Sequence, residues 1–263
     1  MTQHSIAQTL LELRSMVHAA TEYNQVQTDW FPANCVKLLL EENPALIWLE
    51  RFGHLSSFQP DKSEYRSSDS IFIESREFKK TWCEHHCPSV VRVCSEADEV
   101  RSAKKVRETF ALMIRGVPVI GQAALWWAPE HVYGIADLLV HSIWLNELFP
   151  GLMTPAEAAK PAPNLGDAET KGHYVVVEFR TELEEPKNRE VHAAQVRLYS
   201  YMLGQLQGVM PTAAYVITRD KVSQPFEVPI RSKVAEPLDG DLASLRDQFA
   251  NKAQRAKYFA LAS

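Results

Sequence analysis

HYVVVEFRT, residues 173–181, is the most strand-like stretch of the chain: β-branched and aromatic side chains dominate it, with no glycine or proline among them. Side chains alternate faces along a strand, so Val176, Glu178 and Arg180 share one face while Val175, Val177 and Phe179 share the other. A carboxylate in so apolar a segment is costly unless a metal ion, a buried cation or a strand end offsets it.

Upstream, VPVIGQAALWW and VYGIADLLVHS flank the turn APEH and read as a β-hairpin. Before them, SEADEVRSAKKVRETFALMIRG predicts one helix of about five turns, with Ser95 as cap, acids in the first turn and Gly116 at its end. PSVVRVCS, earlier still, is a short strand candidate. Residues 150–170, rich in proline, alanine and acids, interrupt the sheet as a long excursion. Downstream, REVHAAQVRLYSYMLGQLQG is an amphipathic helix ending at Gly208, TAAYVITRD a strand, and DLASLRDQFANKAQRAKYF a final helix. The order helix, strand, strand, strand, helix, strand predicts an α/β sheet domain over 88–263. Residues 1–87 read as a helical region packing on that core, with helices in IAQTLLELRSMVHAA and NCVKLLLEENPALIWLERFG and a mobile loop at 54–70.

On the preceding strand, Ile135, Asp137 and Leu139 share a face, which sets a second carboxylate in an apolar stretch. Two carboxylates on neighbouring strands make a Mg²⁺ site plausible, because a hard cation takes carboxylate oxygens and keeps several waters. On spacing alone the other reading stands equally: Asp137 ends a strand and Glu178 pairs with Arg180 or another base. Gln195 and Tyr199, at i and i+4, lie on one helical face with His192 nearby.

In order along the chain, GIADLLV, VVVEFRT, QVRLYSYMLG and TAAYVIT resemble the motifs of the RecB-like branch of the PD-(D/E)XK nucleases. The resemblance covers roughly residues 95–220, something under half the chain. It implies a restriction-endonuclease-like core, a mixed central sheet flanked by helices in αβββαβ order. It also implies a metal-dependent nuclease that hydrolyses DNA phosphodiester bonds, single-stranded DNA among its substrates. Asp137 and Glu178 would then ligate Mg²⁺ or Mn²⁺ with the Phe179 carbonyl and Glu99, while Gln195 and Tyr199 would hold the nucleic-acid backbone. Arg180 departs from the pattern, since the family carries lysine there. Arginine stays protonated and does not act as a general base, but it stabilises phosphate charge. Arg180 therefore marks either a working variant assisted by another lysine or an inactive nuclease fold serving as a structural or protein-binding subunit.

The formal net charge of −5 argues against a generally basic nucleic-acid coat. A local stripe of Arg101, Lys104, Lys105 and Arg107 either tracks phosphates or is a solvated helix face. Of Trp126 and Trp127, on opposite faces of a strand, one belongs in the core and the other is free to stack on a base or a partner. CEHHC at 83–87, with Cys94, is either a Cys/His metal knuckle or a set of ordinary buried thiols. Phosphate loops, dinucleotide fingerprints, nucleophile elbows and the zinc-protease motif are all missing from the sequence. With no secretory pattern at the start and no apolar run long enough to span a bilayer, the expectation is an intracellular protein without a membrane partner.

Overall fold

The computed structural model describes residue 26 and residues 30–35, 66–128, 131–166, 171–181 and 186–230. In chain order they form β1 (Phe31–Pro32), α1 (Arg66–His86), β2 (Val91–Arg92), α2 (Ala103–Ile114), β3 (Val119–Trp127), β4 (Val132–His141), α3 (Ser142–Leu148), α4 (Pro155–Ala158), β5 (Tyr174–Arg180), α5 (Pro186–Gln207), β6 (Ala213–Thr218) and β7 (Phe226–Pro229). Short 3-10 turns occupy Ala33–Cys35 and Ala97–Arg101. The architecture is α/β: a mixed seven-stranded sheet in the order β2-β3-β4-β5-β6-β7, with β1 also paired to β4, flanked by helices. β3–β4, β4–β5 and β6–β7 are antiparallel, whereas β2–β3, β5–β6 and β1–β4 are parallel.

The alternation in HYVVVEFRT divides the core as a pleated strand must. Tyr174 and Val176 join Phe110 and Met113 of α2 and Val196, Met202 and Leu203 of α5 in one apolar cluster. Val175, Val177 and Phe179 join Trp82 and Cys83 of α1, Leu145 of α3 and Ala158 of α4 in another. The Trp82 and Phe179 rings meet edge to face at 5.2 Å, which anchors α1 to β5. At the start of β5, the buried Gln207 side chain accepts from the Tyr174 N–H (2.8 Å) and donates to its carbonyl (3.0 Å), so α5 satisfies a strand end that would otherwise be orphaned. Past Gln207, Gly208 takes a left-handed φ of 77° and its N–H closes the helix on the Gly204 carbonyl at 2.9 Å.

The structure corrects three local expectations. The single helix over 95–116 is instead a 3-10 turn and an α-helix, parted at Ser102, which is extended (φ −97°, ψ 126°). The Arg101 carbonyl there accepts from the Val26 N–H at 2.9 Å, and the Ser102 hydroxyl accepts from the Lys104 N–H to start a new helix. Residues 66–70, expected in a mobile loop, belong to α1; 54–65 lie outside the described residues. β7 was not expected, because only Val228 of its four residues is buried and no alternation marks it. The first expected N-terminal helix and the final helix lie outside the described residues, as does all of 34–53 except Asn34 and Cys35 in the 3-10 turn. Among the described residues no helix is long and apolar enough to cross a membrane.

Candidate functional site

β4 is shared between two partners on one side. Its Val132 and Tyr133 pair with β1, while Leu138 to His141 pair with β5. β5 runs on to Arg180 beside β6, so β4 and β5 part company just beyond the Leu138–Val177 pair. Asp137 and Glu178 are the next residues in that register and stand in the fork. Their side chains continue the ladder where the backbone leaves off. Glu178 Oε1 accepts from the Asp137 N–H at 2.8 Å, and Asp137 Oδ2 accepts from the Phe179 N–H at 3.1 Å. Both residues are buried, at 8% and 3% exposure.

Two cations meet these carboxylates. Lys79 extends from α1 to Asp137 Oδ1 at 2.6 Å. Arg180 Nη1 donates to the Phe179 carbonyl at 2.8 Å and lies 3.4 Å from Glu178 Oε2. Its Nη2 donates to Gln195 Oε1 at 3.3 Å, and Gln195 Nε2 donates to the Tyr199 hydroxyl at 2.9 Å. Gln195 and Tyr199 thus form a relay behind Arg180, with Tyr199 buried. A further donor, Gln122 Nε2 of β3, lies 3.3 Å from the same Asp137 Oδ1 that Lys79 holds.

Electrostatics separates the two acids. Burial, reinforced by the charge of Asp137, holds the Glu178 carboxyl well above the ordinary carboxylate range despite Arg180 and Lys79. Burial pushes Asp137 upward too, but the charge and hydrogen bond of Lys79, with Arg180 and the Phe179 N–H, outweigh it and hold Asp137 low. Asp137 is therefore the ionised partner and Glu178 the readier proton holder. Burial also raises the Tyr199 hydroxyl, which stays neutral.

The glycine of GIADLLV has a steric reason. A Cβ on Gly134 would stand 2.5 Å from Tyr199 Cε1 and 3.0 Å from the Ala33 Cβ, so the bare backbone is the seat of the Tyr199 ring. Gly134→Ala is expected to destabilise the fold by about 2 kcal/mol through overpacking, read as a lower midpoint in urea, with Tyr199 displaced from Gln195.

Other residues singled out by sequence fall elsewhere. Glu99 accepts from the Ser95 and Glu96 N–H groups and pairs with Lys105 at 3.4 Å, so it serves the 3-10 turn, not the carboxylate pair. Lys105 is tied to the Val93 carbonyl, Glu99 and Glu108, whereas Arg101, Lys104 and Arg107 are exposed on that helical stretch. Trp126 is buried, its indole N–H on the Val100 carbonyl at 2.6 Å; Trp127 packs on Tyr201 with ring centroids 4.3 Å apart. Cys83, Cys87 and Cys94 are buried free thiols, and burial pushes the Cys87 thiol up to about 12. Among the described residues, no three His, Cys, Asp or Glu side chains gather as a metal cluster.

Sequence reasoning missed Lys79 and Gln122. Lys79 lies at i−3 and i−4 from the inward-facing Trp82 and Cys83, which places it beside the buried face of α1; its neighbour Lys80 is turned to solvent and Glu84. That helical phase was a readable signal. Gln122 gave none, since its role depends on an unusual backbone conformation.

The donor types are those that a hard divalent cation takes, and both Asp137 oxygens are engaged by Lys79, Gln122 and the Phe179 N–H. Glu178 Oε2 and the Phe179 carbonyl share a single cationic nitrogen, Arg180 Nη1, at 3.4 and 2.8 Å. Two carboxylates, a carbonyl and water are the ligands Mg²⁺ or Mn²⁺ takes. Neither a scan against protein-family models nor a search of curated proteins returns a match to this chain.

Proposed function

We propose that the chain is a RecB-like member of the PD-(D/E)XK superfamily and a metal-dependent nuclease hydrolysing DNA phosphodiester bonds. The observation that supports this reading is the fork itself: Asp137 and Glu178 side by side, with Glu178 Oε2 and the Phe179 carbonyl both beside the guanidinium nitrogen Arg180 Nη1. Mg²⁺ or Mn²⁺ held by Asp137, Glu178 and the Phe179 carbonyl would supply Lewis acidity and a more acidic bound water. Lys79, fixed by Asp137, takes the part of the lysine that the strand lacks, donating to water and phosphate oxygen near the reacting centre. Arg180, held by Gln195, turns from Glu178 to the phosphate, where guanidinium hydrogen bonds stabilise the added charge of the transition state. Gln195 and Tyr199 set the orientation of Arg180. In the reaction, water gives up one proton to solvent as its oxygen bonds to phosphorus, the phosphorus–oxygen ester bond to the leaving group breaks, and the departing alkoxide takes up a proton from solvent water.

A second reading is favoured by the seat of Arg180. Two cations already face the two acids, and Arg180 Nη1 sits beside both Glu178 Oε2 and the Phe179 carbonyl, the oxygens that a metal would use. Such a site suits an inactive nuclease fold serving as a structural or binding subunit, in which the ion pairs hold the fork together.

Labelled single- and double-stranded DNA incubated with Mg²⁺ or Mn²⁺ separates the two. Cutting by wild type that falls by about 10³-fold in Glu178→Ala and Asp137→Ala supports the nuclease. Folded wild type that cuts nothing, and binds Mn²⁺ by calorimetry only after Arg180→Ala, establishes the inactive fold.

A further inference from the structure

Gln122 stands in the middle of β3 with φ +49°, a left-handed conformation that a side chain bearing a Cβ avoids. Among the described residues the other non-glycine case is His131, in the hairpin turn, where that conformation is at home. Inside a strand it persists only when the surroundings over-determine it. Two contacts do so. The Gln122 carbonyl accepts from the Cys94 N–H at 3.1 Å, and its carboxamide reaches Asp137 Oδ1 at 3.3 Å. The β3–β4 register passes from Gly121–Leu138 to Ala123–Ala136, and neither Gln122 nor Asp137 appears in that ladder. Gln122, Asp137 and Glu178 thus occupy one row across three strands; Gln122 and Asp137 drop out of the β3–β4 ladder and Asp137 and Glu178 out of the β4–β5 ladder, while Glu178 still pairs with Val216 of β6.

We propose that Gln122 is a positioning residue for Asp137, kept in a strained backbone conformation so that its carboxamide and Lys79 together fix one carboxylate oxygen. Donors on three different elements then pin Asp137: Lys79 of α1 and Gln122 of β3 on Oδ1, and the Phe179 N–H of β5 on Oδ2. A carboxylate so held leaves its remaining lone pairs in a set direction, which a ligand site needs and a purely structural ion pair does not. The inference rests on the proposed role of Asp137 in the nuclease site.

Comparing Gln122→Gly with Gln122→Ala tests it. At an ordinary strand position alanine is the more stable of the two; at a strained left-handed position the order reverses. The glycine variant is expected to melt about 2 °C or more above the alanine variant. Both variants lose the carboxamide, so both are expected to lose about tenfold or more in cleavage at limiting Mn²⁺, despite their different stabilities. A merely structural Gln122 predicts the opposite: activity follows stability, and glycine retains what alanine loses. The contact has a readout that needs no activity. The side-chain amide resonances of Gln122 are expected to shift on Asp137→Asn together with the Phe179 amide that shares the carboxylate, while resonances remote from the fork stay in place. Wild type that cuts no DNA, with the glycine-above-alanine order and the amide shift both present, overturns the nuclease and keeps Gln122 as the residue that positions Asp137. Alanine melting above glycine, or an amide indifferent to Asp137→Asn, overturns the proposal whatever the activity.

Discussion

Lys79→Met is expected to give the largest combined loss of stability and activity of any single substitution outside the two acids. It removes the ammonium 2.6 Å from Asp137 Oδ1 and leaves a buried carboxylate beside the equally buried Glu178. Breaking a buried pair costs about 3–5 kcal/mol, and Lys79 keeps 29% of its side-chain surface in water, so about 2 kcal/mol is expected here. The pH dependence identifies the cause. In the wild type Asp137 is held below its ordinary range, so its contribution is present above the unfolded value and lost as pH falls through the folded one. Without Lys79, burial prevails and the Asp137 carboxyl rises above its unfolded value, which reverses the sign. The gap between wild type and Lys79→Met in urea denaturation should therefore be widest at neutral and alkaline pH, narrow toward pH ~4 as the variant's carboxyl keeps its proton, and close only below that, as the wild-type Asp137 is protonated in its turn. If Lys79 also serves the reacting phosphate, cleavage at saturating Mn²⁺ falls about 10²-fold. Lys79→Arg, which keeps the charge but not the compact ammonium, should recover stability more than rate.

Glu178→Gln is expected to abolish a slope in the stability profile. Burial and the charge of Asp137 raise the Glu178 carboxyl above its ordinary value. A raised acid contributes stability that is full below its unfolded pKa and lost as pH rises through the folded one. Wild type should thus weaken from about pH 4.5 upward through neutrality, by an amount on the order of a few kcal/mol, while the glutamine variant, which titrates no proton there, stays level. Glutamine Oε1 still accepts from the Asp137 N–H, so the fork itself survives. The stability of the variant relative to wild type should increase steadily with pH. Added Mn²⁺ should stabilise wild type more at high pH, when Glu178 is ionised, and leave the glutamine variant nearly unchanged. A wild-type profile as level as that of the variant would show that Glu178 folds in its charged form, already neutralised by Arg180.

Both substitutions bear on the same physical question, namely which charge balances which. Asp137 has Lys79, a short and direct partner; Glu178 has Arg180 at 3.4 Å, shared with the Phe179 carbonyl and Gln195. The looser pair is the one that a metal and a phosphate would rearrange, and it lies at the end of β5 where the sheet opens.

The sequence by itself determined the strands over 119–127, 132–141, 174–180 and 213–218, the hairpin joining the first two, and the helix ending before Gly208. It also determined which neighbours share a face with Asp137 along one strand and with Glu178 along the other, because two-residue alternation is a local property of the chain, whereas the β4–β5 register turns the two acids the same way. What it left open was every partner those acids would have. Lys79 precedes Asp137 by 58 residues and is adjacent to another lysine, so only the docking of Trp82 on Phe179 decides which ammonium is turned inward. Whether Arg180 meets Glu178, the Phe179 carbonyl or solvent depends on where α5 lays Gln195 beside it. The break at Ser102 follows from Val26 claiming the Arg101 carbonyl, and the left-handed turn of Gln122 from the contacts around it. Periodicity fixes what each segment is, since it is written in neighbouring residues. The charges that meet at the fork come from segments far apart in the chain, and only the packing of α1 and α5 on opposite faces of the sheet brings them together.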